Sequence, residues 1–224
     1  MNIKKSWKIL WGVLLVLVWA CLIFLFVKSN GGLTVEQIVN YKPASTLVAL
    51  LAMLGLFLLK SVDFIMYSGI LYAASGIMFP LIPALLLNLV GMVIMLSIPY
   101  AAGKIIGTPL VEQLMEKHPK LQEAAKLRSG GEVMIAVLLR AIGTPLHVAS
   151  IYMGAMGYRF DRYMLGSLLG ILPEMITLTV IGTSASDASS PAFWIAVAVK
   201  LCISALSIIT YNILKKKSVP EAEG

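Results

Sequence analysis

One arginine stands in the middle of an apolar stretch of the sequence. Arg140 lies within residues 133–157, which are otherwise largely apolar. A charged side chain at membrane depth costs at least about 2.5–3.5 kcal/mol on insertion scales, so Arg140 is expected to face a cavity or a partner. Its planar fork of donors suits a phosphate or a carboxylate. Arg140 is therefore a candidate for substrate binding. The alternatives are a structural ion pair with Asp63 or Glu174, or extension toward lipid headgroups.

Carboxylates also interrupt apolar sequence. Lys60 and Asp63 are three residues apart, which would place them on one helical face, where they could neutralise each other. In a wet cavity, Asp63 could instead exchange protons or bind a cation. Glu174 follows Pro173 in another apolar run and is a second candidate proton carrier, with pairing to Arg140 as the alternative. Lys60 is also a candidate to assist Arg140 in holding an anion.

Other polar residues mark turns. His147 follows Pro145 by two residues and could shuttle protons, although a lone histidine is more often a hydrogen-bonded structural group. Lys104 and Lys200 are expected to extend toward headgroups or to support the fold. The tip of a first hairpin could be lined by Tyr67, Ser68 and Gly69.

Glycines recur where apolar segments are expected to turn or to pack closely. Those assigned to hairpins and helix contacts are Gly69, Gly76, Gly143, Gly154, Gly157, Gly166 and Gly170.

The sequence holds no signature of an enzyme or a metal site. It has two histidines, His118 and His147, and two cysteines, Cys21 and Cys202, which lie inside apolar runs. No zinc-protease, P-loop or hydrolase motif is present. We therefore expect no catalytic residue, no metal and no cofactor, and we predict that the chain is not an enzyme. An intramembrane enzyme is the least favoured alternative, because no nucleophile–base pair is present.

Composition indicates which class of protein holds these residues. Of 224 residues, 59% are hydrophobic and 13% are charged, and the mean hydropathy is +0.90. Soluble domains are about 45–50% apolar and about 25% charged. Successive apolar runs long enough to cross the ~30 Å hydrocarbon core predict an all-α polytopic membrane protein. The net charge of +7 is typical of orientation signals and attraction to anionic headgroups, and no nucleic acid partner is expected.

The breaks between apolar runs divide the chain into three parts. Residues 1–43 are predicted to hold a first membrane helix and a short interfacial helix, and residues 184–224 a last membrane helix and a basic tail. The core spans residues 44–183. Its predicted elements are a hairpin at about 44–79, a crossing at about 81–102, an amphipathic segment at 103–132, a hairpin at 133–157 and a crossing at 163–183.

Charge places these elements relative to the bilayer. Lysine-rich ends put both termini in the cytoplasm, and the segment 103–132 and the turn at Arg159 and Arg162 are also basic. Both ends of 133–157 therefore lie on the cytoplasmic side, which makes it a re-entrant hairpin with its tip near 143–145. The fold class predicted is an inverted repeat with two opposed re-entrant hairpins plus about four transmembrane helices. A plain bundle of six crossings is the alternative.

Several motifs occur together in a specific order. They are the run from Gly69 to Pro80, the Gly103-Lys104-Ile105-Ile106-Gly107 step, the Pro119-Lys120-Leu121 turn, and Arg140-x4-Pro145 leading to Gly154 and Phe160-x2-Tyr163. With these motifs, the chain from about residue 60 to residue 183 resembles the DedA / SNARE-associated Golgi protein family (VTT domain), and most closely its yeast-Golgi-type branch.

The resemblance implies opposed re-entrant hairpins and movement of lipids between leaflets. Family members are implicated in undecaprenyl phosphate recycling, proton-dependent membrane homeostasis and phospholipid scrambling. By resemblance, Arg140 and Pro145 match the family's hairpin arginine and second hairpin proline, and His147 and Ser150 match positions often held by Asn. The chain departs from the family at Gly143, where a proline is usual, and it lacks the acidic residue that DedA itself carries near Tyr67-Ser68.

These observations predict a transporter or flippase-like protein for a polyprenyl phosphate, a phospholipid or a small solute, with Asp63 and Glu174 as residues for proton coupling. The expected partners are anionic membrane lipids and a second copy of the chain. The expected location is a bacterial cytoplasmic membrane, with a Golgi membrane as the alternative. A non-transporting scaffold that recruits partners through 103–132 is the alternative function. The predicted substrate-binding residues are Arg140, Lys60, Pro145, His147, Ser150, Tyr67 and Ser68.

Overall fold

The computed structural model describes residues 45–63, 66–107, 111, 115–116, 131–187 and 189–218. These residues belong to one compact unit, Lys42–Gly224. The predicted first membrane helix and interfacial helix, most of the segment 103–132 and the end of the basic tail lie outside the described residues.

The described residues form helices and no strand. The seven helices are α1 (Thr46–Lys60), α2 (Gly69–Met78), α3 (Leu81–Ile106), α4 (Gly131–Ala141), α5 (Leu146–Ala155), α6 (Phe160–Thr183) and α7 (Pro191–Ser218). In chain order, a pair of short helices precedes one long helix, and this arrangement occurs twice.

Among the described residues, two helices are long and apolar enough to cross a membrane. They are α3, with 26 residues and a mean hydropathy of 2.4, and α6, with 24 residues and a mean hydropathy of 1.8. At about 1.5 Å per residue each extends beyond the ~30 Å hydrocarbon core. Large apolar side chains are exposed on several helices, as at Leu47, Ile82, Leu165 and Trp194. Such a surface suits a lipid environment.

The second helix of each short pair packs on the long helix of the other pair. Thus α2 packs on α6, and α5 packs on α3. Glycines make both contacts close: a Cβ added at Gly76 would meet the carbonyl oxygen of Thr179, and one added at Gly154 would meet that of Tyr100. The missing side chains let two backbones approach, as in small-residue contacts between membrane helices.

Glycine also ends α3. The helix continues past residue 102, where the crossing was expected to end, as far as Ile106. Gly107 then adopts φ 74°, which a residue without a Cβ populates readily. The start of the predicted amphipathic segment therefore belongs to α3.

Candidate functional site

A cavity of about 440 Å³ lies where the turns of the two short helix pairs meet α6. Its volume falls within the roughly 300–1,000 Å³ typical of ligand pockets. The residues that line it are Lys60, Met66, Tyr67, Ser68, Arg140, Gly143, Thr144, Pro145, Leu146, His147, Gly170, Ile171 and Glu174. The cavity thus brings together most of the residues predicted to bind substrate.

The turn between α4 and α5 forms one side of the cavity, and its sequence explains its shape. Gly143 adopts φ 69°, a conformation that favours glycine. Its N–H donates to the carbonyl of Arg140 at 3.0 Å, and the N–H of Thr144 donates to that of Leu139 at 3.1 Å. Pro145 then precedes the first residue of α5, where its carbonyl accepts the N–H of Ala149. Glycine followed by proline therefore ends one helix and begins the next.

Arg140 extends from the last turn of α4 toward α5 and α6. Its Nη1 donates to the carbonyl of Leu146 at 2.9 Å. Its Nη2 donates to Ser150 Oγ at 3.0 Å and to Ser167 Oγ at 3.2 Å. Its Nε is buried and has no hydrogen-bond partner among the described residues. The guanidinium is oriented by neutral oxygens and retains donor capacity.

No carboxylate of the described chain forms an ion pair with Arg140; the described ion pairs involve Arg159, Arg162 and Lys200. The structural pair of Arg140 with Asp63 or Glu174, considered as an alternative from the sequence, is therefore not formed. A half-buried cation without a counter-charge is unfavourable, so this site favours a bound anion.

Glu174 pairs with a lysine from α7 instead. Glu174 Oε1 accepts from Lys200 Nζ and from the hydroxyl of Tyr67. Lys200 Nζ also lies 3.3 Å from the hydroxyl of Tyr67 and 5.9 Å from the centroid of its ring. Glu174 of α6 and Lys200 of α7 thus both contact Tyr67, which lies two residues before α2. Because Tyr67 is 49% exposed and lines the cavity, the cluster borders the cavity's mouth.

Lys60 and Asp63 lie where α1 ends and the turn to α2 begins, and they do not share a helical face. Since α1 ends at Lys60, the prediction of a shared helical face is wrong. Lys60 Nζ donates to the main-chain carbonyl of Asp63 at 2.6 Å, and Asp63 Oδ2 accepts the N–H of Met66 at 3.1 Å. Both side chains are buried. Lys60 lines the cavity, whereas Asp63 is not one of the lining residues.

His147 and Ser150 hold the two turns in place. His147 Nε2 lies 3.0 Å from the carbonyl oxygen of Lys60, which connects α5 to the end of α1. Ser150 Oγ donates to the carbonyl of Leu146 at 2.7 Å and lies beside Arg140. His147 lines the cavity. Ser150 is not a lining residue, but it accepts a hydrogen bond from Arg140, which is one.

The predicted glycines have different positions. Gly143 lies in the cavity wall, and Gly157, with φ 74°, lies in the turn after α5. Gly69 is close to the ring of Tyr67 and to Leu178. Gly170 packs on the stem of Arg140, since a Cβ there would lie 2.7 Å from Arg140 Cβ.

Three residues of the site were missed as site residues. Tyr163 OH donates to the carbonyl of Leu96 at 3.0 Å and lies 2.8 Å from Ser150 Oγ. Ser167 binds Arg140. Thr144 lines the cavity, and its buried Oγ1 has no partner within the described ranges. A signal existed for Ser167, because Tyr163, Ser167 and Glu174 follow helical spacing on one face of α6.

The described part of the chain contains no group of three or more His, Cys, Asp or Glu side chains that could hold a metal ion.

Comparison with known proteins gives one match. The family model of the VTT domain matches residues 64–184, more than half of the chain. The matched range includes α2 to α6 and leaves out α1 and α7. No curated protein and no solved structure matches the chain. The match does not distinguish branches of the family, so the yeast-Golgi-type branch stays a prediction.

Proposed function

From the premise that the chain belongs to the VTT-domain family, a family of membrane proteins, we propose that it is a transporter or flippase-like protein. It moves an anionic lipid or a small anionic solute across the bilayer and catalyses no covalent step. Its partners are anionic lipids and a second copy of the chain. Its location is a bacterial cytoplasmic membrane with both termini inside, in keeping with its basic charge and lysine-rich ends.

The observation that carries the proposal is the state of Arg140. The guanidinium borders the cavity, has no carboxylate partner among the described residues, and keeps Nε unsatisfied. Thr144 Oγ1 is also buried and unsatisfied in the same wall. A phosphate or carboxylate bound in the cavity would neutralise the charge of the guanidinium. The N-terminal end of α5 meets the same cavity, and its dipole adds to the attraction.

The architecture suits a single site that a substrate can reach from either side of the membrane. We propose that α1–α2 and α4–α5 are re-entrant hairpins of an inverted repeat with about four transmembrane helices. None of these short helices exceeds 15 residues, fewer than the roughly 20 needed for a crossing. Their non-helical turns border a cavity, which is where a membrane tolerates irregular backbone. The reciprocal packing of α2 on α6 and α5 on α3 also supports two equivalent halves.

The cavity's size limits what part of a substrate it holds. A volume of about 440 Å³ accommodates a phosphate headgroup or a small anion, whereas two acyl chains need more room. A lipid would therefore place its headgroup beside Arg140 and leave its chains in the bilayer. Exposed residues at the mouth, including Tyr67, Gly143 and Pro145, leave a route for such chains.

Proton coupling, if the movement is coupled, involves Glu174 in preference to Asp63. Glu174 lines the cavity and Asp63 does not. Protonation of Glu174 would remove a negative charge from the wall that faces the anion.

The test is reconstitution of the purified protein in liposomes. Transbilayer movement is followed for a labelled phospholipid and a labelled polyprenyl phosphate, with and without a pH gradient, and uptake is followed for inorganic phosphate. Arg140→Ala should reduce movement at least about tenfold, since hydrogen bonds to charged groups contribute about 1.5–3 kcal/mol. Arg162→Ala removes the same charge from an exposed side chain near Glu132 and should leave movement unchanged. Movement by Arg140→Ala at the wild-type rate would refute the role of Arg140.

A further inference from the structure

Lys200 belongs to α7, outside the range matched by the domain family, yet its charge reaches the cavity wall. Its Nζ pairs with Glu174 Oε1, and the two side chains are 25% and 31% exposed. Lys200 does not line the cavity itself, whereas Glu174 does. Lys200 therefore acts on the cavity through Glu174.

Glu174 and Arg140 face the same space from neighbouring positions. Ser167, Gly170 and Glu174 follow helical spacing along α6. Ser167 binds the guanidinium, and Gly170 packs on its stem. Glu174 lies seven residues after Ser167, which corresponds to about 10 Å along the helix axis. An anion bound at Arg140 would thus lie within range of the Glu174 charge.

A carboxylate at that distance repels the anion that Arg140 attracts. Two unit charges ~10 Å apart interact by an amount worth about tenfold in affinity when the effective dielectric constant is ~20. The ammonium of Lys200, in direct contact with Glu174, offsets this repulsion. The hydroxyl of Tyr67 also donates to Glu174, and it holds the carboxylate toward Lys200.

We infer that Lys200 is a specificity-determining residue: by neutralising Glu174, it keeps the cavity selective for anions without touching the anion itself. This inference rests on the proposed anion-binding function. It assigns a role in the site to α7, although this helix lies outside the matched domain.

Two other roles for Lys200 make different predictions. A lysine that binds the anion directly would be needed whether or not Glu174 is charged. A lysine that only stabilises the packing of α7 on α6 would change thermal stability and leave the affinity of the folded protein unchanged. The charge-offset role alone predicts that removing Lys200 weakens binding and that removing Glu174 as well restores the wild-type affinity.

The experiment measures binding of two probes, dihexanoyl phosphatidic acid and inorganic phosphate, to the purified full chain in detergent by calorimetry. The phosphatidic acid tests a lipid headgroup, and inorganic phosphate tests a free anion. The variants are Lys200→Gln, Glu174→Gln, the double variant and Arg140→Ala. Lys104→Gln is the matched control, because it removes a lysine charge from an exposed position at the end of α3 that does not line the cavity.

Lys200→Gln should bind whichever probe the wild type binds about tenfold more weakly than the wild type does. Glu174→Gln should bind that probe at least as tightly as the wild type. The double variant, which carries neither charge, should regain the affinity of the wild type to within about twofold. Lys104→Gln should match the wild type. Thermal unfolding of each variant is measured alongside.

Wild-type affinity in Lys200→Gln, or a double variant as weak as Lys200→Gln, would overturn the inference. If Lys200→Gln does not fold, the exchanged pair Glu174→Lys with Lys200→Glu replaces it: retained or tighter binding supports the inference, and lost binding overturns it. Arg140→Ala separates this test from the proposed function. Undiminished binding in Arg140→Ala refutes the proposed site, whereas lost binding there with no Lys200 effect refutes the inference alone.

Discussion

Each short helix pair joins two helices through a turn, but the two turns have different charge environments. In each, a basic residue near the end of the first helix donates to a main-chain carbonyl of the turn region: Lys60 to Asp63 at 2.6 Å, and Arg140 to Leu146 at 2.9 Å. In the first pair, an acidic residue is part of the same turn. In the second, the other partners of Arg140 are neutral hydroxyls.

This difference shows where an anion can gain most. Lys60 already lies close to the acidic Asp63, so an anion would compete with a charge that the protein supplies. Arg140 has no such charge among the described residues, and its Nε lacks an acceptor. Under the proposed function, the first turn closes one side of the cavity and the second provides the main contact for the anion.

The contacts of α2 with α6 and of α5 with α3 are expected to be disrupted to the same extent when a side chain replaces a glycine. Gly76→Val on α2 and Gly154→Val on α5 would each place carbon atoms against a carbonyl oxygen of the opposing long helix. We expect each to lose about 3 kcal/mol of stability or to fail to fold, as in severe overpacking. Thermal unfolding and size-exclusion profiles in detergent measure this.

Gly55→Ala is the control for those variants, since a Cβ there meets nothing within 4 Å. It should be neutral or up to about 1 kcal/mol stabilising, from helix propensity alone. If only one of the two valine variants fails to fold, the two pairs do not dock equivalently.

The basic residues of the two turns should respond differently to conservative exchange. Arg140→Lys keeps the charge but loses the planar fork that contacts α5 and α6 together, so binding of dihexanoyl phosphatidic acid should weaken about tenfold. Lys60→Arg keeps both the charge and a donor for the Asp63 carbonyl, and the adjoining cavity gives room for the larger head. Its affinity should stay within about twofold of the wild type. Equal losses in both variants would contradict the division of roles between the turns.

The smallest effect is expected at Thr144, whose buried hydroxyl is unsatisfied in the cavity wall. Thr144→Val keeps the shape and removes the hydroxyl. If the hydroxyl donates to the bound anion, affinity should fall about fivefold, the value of one hydrogen bond of about 1 kcal/mol. Thermal stability without ligand should stay the same or rise, because an unsatisfied buried group is removed. Unchanged affinity would place the anion away from Thr144.

Local sequence rules predicted the elements better than the contacts between them. Gly143 and Pro145 indicated a break between two helices, because each residue restricts the backbone at its own position. The length of the apolar runs indicated α3 and α6. The position of Arg140 in an apolar stretch indicated a functional candidate from the cost of burying its charge.

Contacts between helices could not be predicted in the same way. A membrane helix is apolar on its lipid face and on its buried face, so hydrophobic periodicity does not show which side meets a neighbour. The pairing of Glu174 with Lys200 and the contact of Arg140 with Ser167 were missed for this reason. The shared face of Lys60 and Asp63 was wrong for a different reason: the spacing rule applies only while the helix continues.

The crossed packing of the short helices makes the order of synthesis important. The glycine surface of α2 needs α6, which follows it by roughly a hundred residues, so at ~5–20 residues per second α2 waits several seconds for its partner. During this interval a polar turn and an unpacked short helix must be held at the membrane by something other than their final contacts. Until α6 has been synthesised, the first half of the protein therefore lacks the contacts that complete its fold.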